Sequence, residues 1–545
     1  MRKWLIAFAA VIVVIAIGIS LLLLSVNKLV ATFEPKIKEQ AIQYLQERFN
    51  TDVEIAALHV SLPSTSSLQL WLNKGKGSIA GVDGEGIVLR RRGQTDGPPL
   101  FAMKRFSFNV DLGTVLGPTK RIPLITLHGM EINVPPKGDR PVMGNKGGGP
   151  APEVLIDEIV ITDAKLVILP RDQKKKPLDF ELQRVRLLSA GNKTAMNYEA
   201  ALRNPKPPGQ IDSQGTFGPW NTEDPGATPL TGDFNFNNAD LGVFKGIAGI
   251  LNSKGSFKGE LSHIYAKGQA SIPDFRLKMS GNPVPLNVSY DVEVDGTNGN
   301  TILKPVQAKL GQTRFTTSGA VLKHEGDQRR TIDLDVHMRD GQLSDLLLLA
   351  MKGKPPFMSG TFVLDSKIRI PPLSGTVKEK LFLDGRFKVA KGQFLKSQIQ
   401  EKVDALSRKA QGQPKDETID QVVSDLEGRF RMEDEKITFS QLAFAVPGAL
   451  MELHGNYDMA MEQLDFRGTA RLEARVSETQ TGWKRWALKP VDPFFAKNGA
   501  GTFLKIKIVG DRKSPQFGLD RGNKDKEEAK YQEKDKEKDK DKPKI

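Results

Sequence analysis

Ile332-Asp333-Leu334-Asp335-Val336-His337-Met338 alternates apolar and polar residues without a break. Successive side chains of an extended chain point to opposite faces, so this stretch reads as a strand with one dry and one wet face. The same period governs Phe106, Phe108, Val110 and Leu112, set against Ser107, Asn109 and Asp111. It governs Tyr290, Val292 and Val294 as well, set against Asp291, Glu293 and Asp295. Such runs recur over most of the chain beyond residue 50, each bounded by Gly, Asn, Asp or Pro. The expected fold class is mainly β, a long antiparallel sheet with a few short helices. One-sided strands serve a two-layer sandwich and an open groove equally, and the period does not choose between them.

Composition agrees. Of 545 residues 39% are hydrophobic, while Gly (51) and Pro (33) are plentiful enough to supply many tight turns. Cysteine is absent, which excludes a disulfide scaffold, a zinc finger and a thiol redox enzyme. The six histidines, His59, His128, His263, His324, His337 and His454, show no metal-ligand spacing, and no metal or cofactor is expected. The formal charge of +14 is spread along the chain, with short runs at Arg90-Arg91-Arg92 and Lys174-Lys175-Lys176. Diffuse charge is first a solubility feature and second a contact for anionic headgroups. No aromatics interleave the basic runs, so nucleic acid is not an expected partner.

From Trp4 to Val26 the chain carries no charge, and Trp4, Phe8, Val13, Ile17, Leu22 and Val26 are typical of the run. About 20 such residues cross a hydrocarbon core, whereas a cleaved signal has an apolar region of roughly 7–15. An uncleaved anchor over residues 1–28 is therefore expected, with Arg2 and Lys3 favouring a cytoplasmic N-terminus and Lys28, Lys36 and Lys38 weighing against it. No second apolar span follows, which places the rest on one side. Glu34-Pro35 then opens an amphipathic helix at 34–49, whose stripe is Ile37, Ala41, Tyr44, Leu45 and Phe49. The stripe suits packing on the first strands or lying on a membrane surface.

The remainder divides by composition into β regions at 29–203, 204–396 and 397–520, and a tail at 521–545. Further helices are expected at Asp240 to Leu251, at Leu343 to Met351, and as a two-helix insertion at 397–426 broken at Gln411-Gly412-Gln413-Pro414. Residues 135–152 and 204–229 read as Pro/Gly-rich linkers. The tail holds ten basic and eight acidic residues with no apolar stripe, and disorder is expected. A loose repeat sets Gly two residues before an aromatic: Gly255-Ser256-Phe257, Gly360-Thr361-Phe362, Gly385-Arg386-Phe387, Gly428-Arg429-Phe430 and Gly501-Thr502-Phe503.

Signals of catalysis fail one by one. Gly255-Ser256-Phe257-Lys258-Gly259 has its Ser in the wrong place for a nucleophile elbow. The run Gly113 to Lys120 has Pro118 where a phosphate loop needs Gly. Asp291, Glu293, Asp295 and Gly296 resemble a calcium loop, but Ile302 stands where the closing Glu belongs. No enzymatic activity is expected.

The order of segments resembles the bacterial AsmA-like family. The anchor and helix precede Val53-Glu54-Ile55-Ala56-Ala57-Leu58-His59-Val60-Ser61-Leu62, then the Phe106 strand, then Ile122-Pro123-Leu124-Ile125-Thr126-Leu127-His128-Gly129. Val154-Leu155-Ile156-Asp157-Glu158-Ile159-Val160-Ile161-Thr162-Asp163-Ala164 is similar to the family's strand-and-turn unit. Gly215-Thr216-Phe217-Gly218-Pro219-Trp220 and Asn498-Gly499-Ala500-Gly501-Thr502-Phe503 extend the likeness toward Asp520. The resemblance implies an inner-membrane, single-pass protein with its bulk in the periplasm and a sheet curled into an elongated groove. The family is similar to bridge-like lipid transfer proteins and associated with phospholipid traffic and envelope integrity. Phospholipids, the inner membrane and outer-membrane or periplasmic envelope proteins are then the expected partners. Lining residues chosen by alternation are Phe106, Phe108, Val110, Tyr290, Val292, Val294, Ile332, Leu334 and Val336. The rival expectation is an assembly scaffold that binds envelope proteins along its sheet edge.

Overall fold

The computed structural model describes residues 38–39, 41–43, 45–46, 50–61, 77–93, 96–111, 119–136, 153–170, 176–191, 194–219, 221, 224–324, 329–352, 355–372, 375–415, 418–495 and 501–520. The protein is mainly β: 23 strands belong to one sheet, and two short strands form another. The expected anchor (Trp4, Phe8, Val13, Ile17, Leu22, Val26) and the charged tail lie outside the described residues. Among the described residues no helix is long and apolar enough to cross a membrane. The chain divides into two compact units: residues 1–244, 248–273 and 287–304, and residues 245–247, 274–286 and 305–545.

In the first unit the strands are β1 (Thr51–Ser61), β2 (Ile79–Arg91), β3 (Phe101–Asp111), β4 (Thr119–Val134), β5 (Glu153–Ile168), β6 (Leu178–Gly191), β7 (Met196–Pro205), β8 (Pro208–Phe217) and β9 (Pro229–Asp240). They pair in chain order, and the ladder continues to β11 (Ile250–Glu260) and β12 (His263–Ile272), after the short β10 (Ile247–Ala248). All these pairs are antiparallel except β4 with β5, which run parallel. β14 (Leu286–Val294) and β15 (Thr301–Leu310) follow, while β13 (Arg276–Leu277), which pairs with β10, belongs to the second unit.

β1 to β6 close a core. Ile125, Leu127, Ile159 and Ile161 are wholly shielded from solvent, because the neighbouring strands present apolar side chains, Phe106 and Phe108 of β3 among them, to the same side. Residues 38–39, 41–43 and 45–46 are helical; Leu45 is buried in this core and Ala41 and Ile42 pack against it. The described part of the stripe, Ala41 and Leu45, thus faces protein.

Two expectations for this unit are corrected. Residues 204–229 are no linker: β7 turns straight into β8 through Lys206-Pro207, with Pro205 opposite Pro208. Two prolines stand where edge positions of a tight turn need no N–H, and the Asn204 side chain donates to the Pro207 carbonyl at 2.7 Å. Asp240 to Leu251 is no helix either. Asp240 accepts the Gly242 N–H at 2.7 Å and caps a single 3-10 turn, Leu241–Val243. Gly246 (φ +87°) and Gly249 (φ +136°) then hold conformations that a right-handed helix cannot pass through.

The second unit holds β16 (Thr313–Leu322), β17 (Thr331–Gln342), β18 (Met358–Ile370), β19 (Phe382–Phe394), β20 (Ser424–Glu433), β21 (Lys436–Val446), β22 (Ala449–Asp458), β23 (Gln463–Leu472), β24 (Thr502–Asp511) and β25 (Gln516–Leu519). Each pairs antiparallel with the next. The helices α1 (Leu343–Ala350), as expected, and α2 (Ser397–Ala410) pack on this unit. α1 is fixed by Asp345, which accepts from the Gln312 N–H (2.8 Å), the Thr313 N–H (3.0 Å) and the Thr313 hydroxyl (2.8 Å). It covers Met338, Met358, Phe362 and Val389, while Val403 and Ala410 of α2 cover Val422, Val446 and Ala449.

The second half of the expected 397–426 insertion is corrected. α2 ends at Ala410, Gly412 (φ +73°) turns the chain away, and among the described residues up to 426 no second helix follows. Val422, Ser424 and Leu426 turn inward while Val423 and Asp425 are exposed, so the period there is two and β20 has begun. Buried Asp404 accepts the Val422 N–H and a Gln400 amide N–H, both at 2.8 Å, and locks α2 to that strand.

Candidate functional site: an open apolar face

Beyond β6 the burial of the apolar side changes character. Along β11 the pattern alternates without interruption between exposed and half-buried, and none of its apolar side chains is fully buried. Leu230, Phe234 and Phe236 of β9, Phe257 of β11, and Ile264 and Ala266 of β12 are all half-buried. A sandwich core at these positions would be nearly shielded, as Ile125 and Ile159 are.

The Gly-x-aromatic repeat explains how this face is built. Gly232-Asp233-Phe234 of β9 meets Gly255-Ser256-Phe257 of β11 in opposite sense, so Phe257 stands opposite Gly232 and Phe234 opposite Gly255. Each ring lies down over the neighbouring glycine: a Cβ on Gly232 would come within 2.8 Å of the Phe257 ring, and one on Gly255 within 3.1 Å of Phe234. Aromatic cover of a strand glycine shields backbone that lacks a side chain. The rings pack 6.3 Å apart and form a low pavement, not tall ridges that would fill the roughly 10 Å needed by a second layer.

Two tyrosines extend the pavement. The Ser213 hydroxyl donates to the Asp233 carbonyl at 2.9 Å, so the Tyr198 hydroxyl, 3.0 Å away, donates to Ser213. Ser253 donates likewise to the Gln269 carbonyl at 3.0 Å and receives Tyr290 at 2.9 Å. Burial pushes both phenol pKa values up, and both rings present apolar faces with their polar tips satisfied.

The opposite side of the same strands is wet. A solvent-open depression of about 600 Å³ there is bordered by Asn197, Glu199, Thr231, Asp233, Lys258 and Lys267. Leu188, Tyr198, Phe257 and Tyr265 border it as well.

In the second unit the same interlock recurs on β19 and β20, where Phe387 stands opposite Gly428 and Gly385 opposite Phe430. It belongs to a row of rings, Phe362–Phe387–Phe430–Phe439–Phe466, whose successive centroids are 6.3, 6.0, 6.5 and 5.7 Å apart. Phe439 and Phe466 flank Gly455 of β22. The wet side carries ion pairs. Asp365 accepts from His337 Nδ1 at 2.8 Å, from Arg339 at 3.0 Å and from Arg386 at 3.0 Å. The His337 hydrogen bond, then those of the two arginines, hold its carboxyl down at about 2.

The residues chosen by alternation fall in three places. Phe106 and Phe108 stack 6.2 Å apart inside the closed core, 7% and 4% exposed, and offer a ligand no free surface; Val110 follows on β3. Tyr290, Val292 and Val294 are half-buried on β14, and Tyr290 joins the open face through Ser253. Ile332 and Leu334 are half-buried on β17, with Val336 buried. Tyr198, Phe234, Phe439 and Phe466 escaped the sequence reading, although Gly232-Asp233-Phe234 and Phe466-Arg467-Gly468 carry the Gly/aromatic signal, the latter reversed.

Compared with family models, with curated proteins and with solved structures, the chain matches none. Among the described residues no three His, Asp or Glu side chains stand together as a metal site.

Proposed function

We propose that this protein is a membrane-anchored periplasmic binder or conductor of phospholipid acyl chains, acting in outer-membrane lipid homeostasis and without catalytic chemistry. The observation that carries the proposal is the half-exposed, ring-paved apolar face of β7 to β12. Its width is four strand spacings of about 4.8 Å, or roughly 19 Å. One leaflet of a hydrocarbon core is about 15 Å thick, so an extended acyl chain fits across the face. Each methylene that leaves water there contributes about 0.8 kcal/mol, and the headgroup stays in solvent. The AsmA-like resemblance supports the location and the lipid. Organic extraction of the purified full-length protein, followed by mass spectrometry, tests the reading. Co-purified phospholipid is the expected result, and a lipid-free protein that takes none up from vesicles contradicts it.

The scaffold reading draws on β25. That strand has only four residues, all exposed, with Phe517 74% exposed, and it pairs with Ile506–Val509 alone out of the ten residues of β24. A short, incompletely covered edge admits an added strand. Charged substitutions on the paved face separate the two: they abolish lipid binding and leave edge-mediated protein capture intact.

A further inference from the structure

Between β23 and β24 the chain leaves the sheet for a helical turn that the lipid-binding face does not use. Its base is well fixed. The Ser477 N–H and hydroxyl donate to the Asp492 carboxylate at 2.8 and 2.7 Å, and these two residues are 3% and 8% exposed. The Ala474 N–H donates to the Ala410 carbonyl at 2.8 Å, and the Thr502 hydroxyl donates to the Ala474 carbonyl at 2.7 Å. Its crest is the reverse. Gly482 (φ +65°) turns the chain into α3 (Trp483–Leu488), on which Trp486 is 71% exposed. Lys484 and Arg485 precede it on the helix and are exposed, and the exposed Lys489 holds its ammonium 4.0 Å from the ring centroid. From Gln480 to Val491 there are three cations and no acid.

An indole exposed to that extent has no counterpart in a monomer's own packing. Indoles prefer the headgroup level of a bilayer, where their apolar body and N–H are both satisfied. Basic side chains beside them gain from the negative surface potential of anionic lipid. A base already ordered by buried hydrogen bonds means that docking costs little conformational entropy. We propose that the Gly482–Lys489 crest docks on the surface of an anionic lipid bilayer. This contact is separate from the acyl-chain face: it involves headgroups, and it stands or falls independently of what the sheet carries.

The absence of cysteine permits a direct test on the full-length protein in amphipol. Ala487→Cys, exposed beside Trp486, takes an environment-sensitive fluorophore, and Met461→Cys, 72% exposed in the turn at the far end of β23, is the control position. Vesicles of 70% phosphatidylcholine and 30% phosphatidylglycerol should blue-shift the label at 487 and not at 461; these mole fractions are on the order of a natural anionic leaflet. Pure phosphatidylcholine should not, and high salt should reverse the shift. Lys484→Glu, Arg485→Glu and Lys489→Glu combined should weaken vesicle binding by on the order of a hundredfold or more, from about 1 kcal/mol lost per cation. Trp486→Ala should weaken it with the charges intact. An unshifted label at 487, an equal shift at 461, or a shift that survives the triple reversal overturns the proposal. A shift produced by added protein but not by vesicles assigns the crest to a protein partner and equally overturns it.

Discussion

Phe257→Asp places a carboxylate at the middle of the paved face. Phe257 is half-buried, lying over Gly232 and 6.3 Å from Phe234. Complete burial of a Phe is worth about 1.5–3 kcal/mol, so the exposed part of this ring has about 1 kcal/mol left to give a bound alkyl chain. Covering a carboxylate with hydrocarbon costs at least about 2 kcal/mol more. Together these come to about 3 kcal/mol, or roughly a hundredfold in affinity. The fold loses the buried part of the ring, about 1–2 kcal/mol, and the ring pair, about 1 kcal/mol. Ser256→Asp, the adjacent position on the wet side opposite Lys267, supplies the same charge and should leave binding unchanged. Titration of purified full-length protein with a fluorescent fatty acid measures both variants. Unchanged binding in the Phe257 variant, or an equal loss in the Ser256 variant, refutes the reasoning.

Asp365→Asn should lower stability at neutral pH by about 1–2 kcal/mol, discounted for the exposed arginines that screen the site. Because the folded carboxyl titrates at about 2, below its ordinary 3.8, its contribution is complete above 3.8 and disappears as pH falls toward 2. Urea midpoints should therefore fall more steeply for the parent than for the variant across that window; parallel curves would contradict the assignment. Asp404→Ala strands the buried Val422 N–H and should cost about 1–3 kcal/mol, read as a lower urea midpoint, and an unchanged midpoint would deny that Asp404 locks α2. Gly268→Val drives a Cβ to 2.5 Å from the Lys254 carbonyl oxygen and 2.7 Å from the Tyr290 ring. It should destabilise by about 1–3 kcal/mol and raise the susceptibility of Tyr290 to nitration, whereas an unaltered Tyr290 would mean the ring does not rest on that glycine.

The strand architecture was legible because period two is a local property of the chain: Ile332 to Met338 became β17 as written. Whether a strand's dry side meets another layer is not local. Phe106 and Phe257 sit in equally regular alternation, yet one closes a core and the other stays half-open, and the difference lies in partners distant in sequence. The Gly-x-aromatic repeat was visible, but its meaning required the antiparallel register that sets Phe257 against Gly232 and Phe387 against Gly428. Helices misread at Asp240–Leu251 and after Gly412 shared one cause. Leu241, Phe244, Ala248 and Leu251 have helical spacing, but Gly246 and Gly249 between them take left-handed conformations. The crest at Trp486 carries a Trp-Lys-Arg-Trp signal that periodicity alone does not detect.

Photo-cross-linking along β11 is the most direct measure of whether hydrocarbon occupies one side of the sheet. A benzophenone amino acid placed in turn at residues 254, 256 and 258, and at 253, 255 and 257, samples the wet and paved sides in intact cells. Phospholipid adducts at 253, 255 and 257 with none at 254, 256 and 258 are the expected outcome. Adducts on neither side, or on both alike, would contradict an acyl chain lying across these rings.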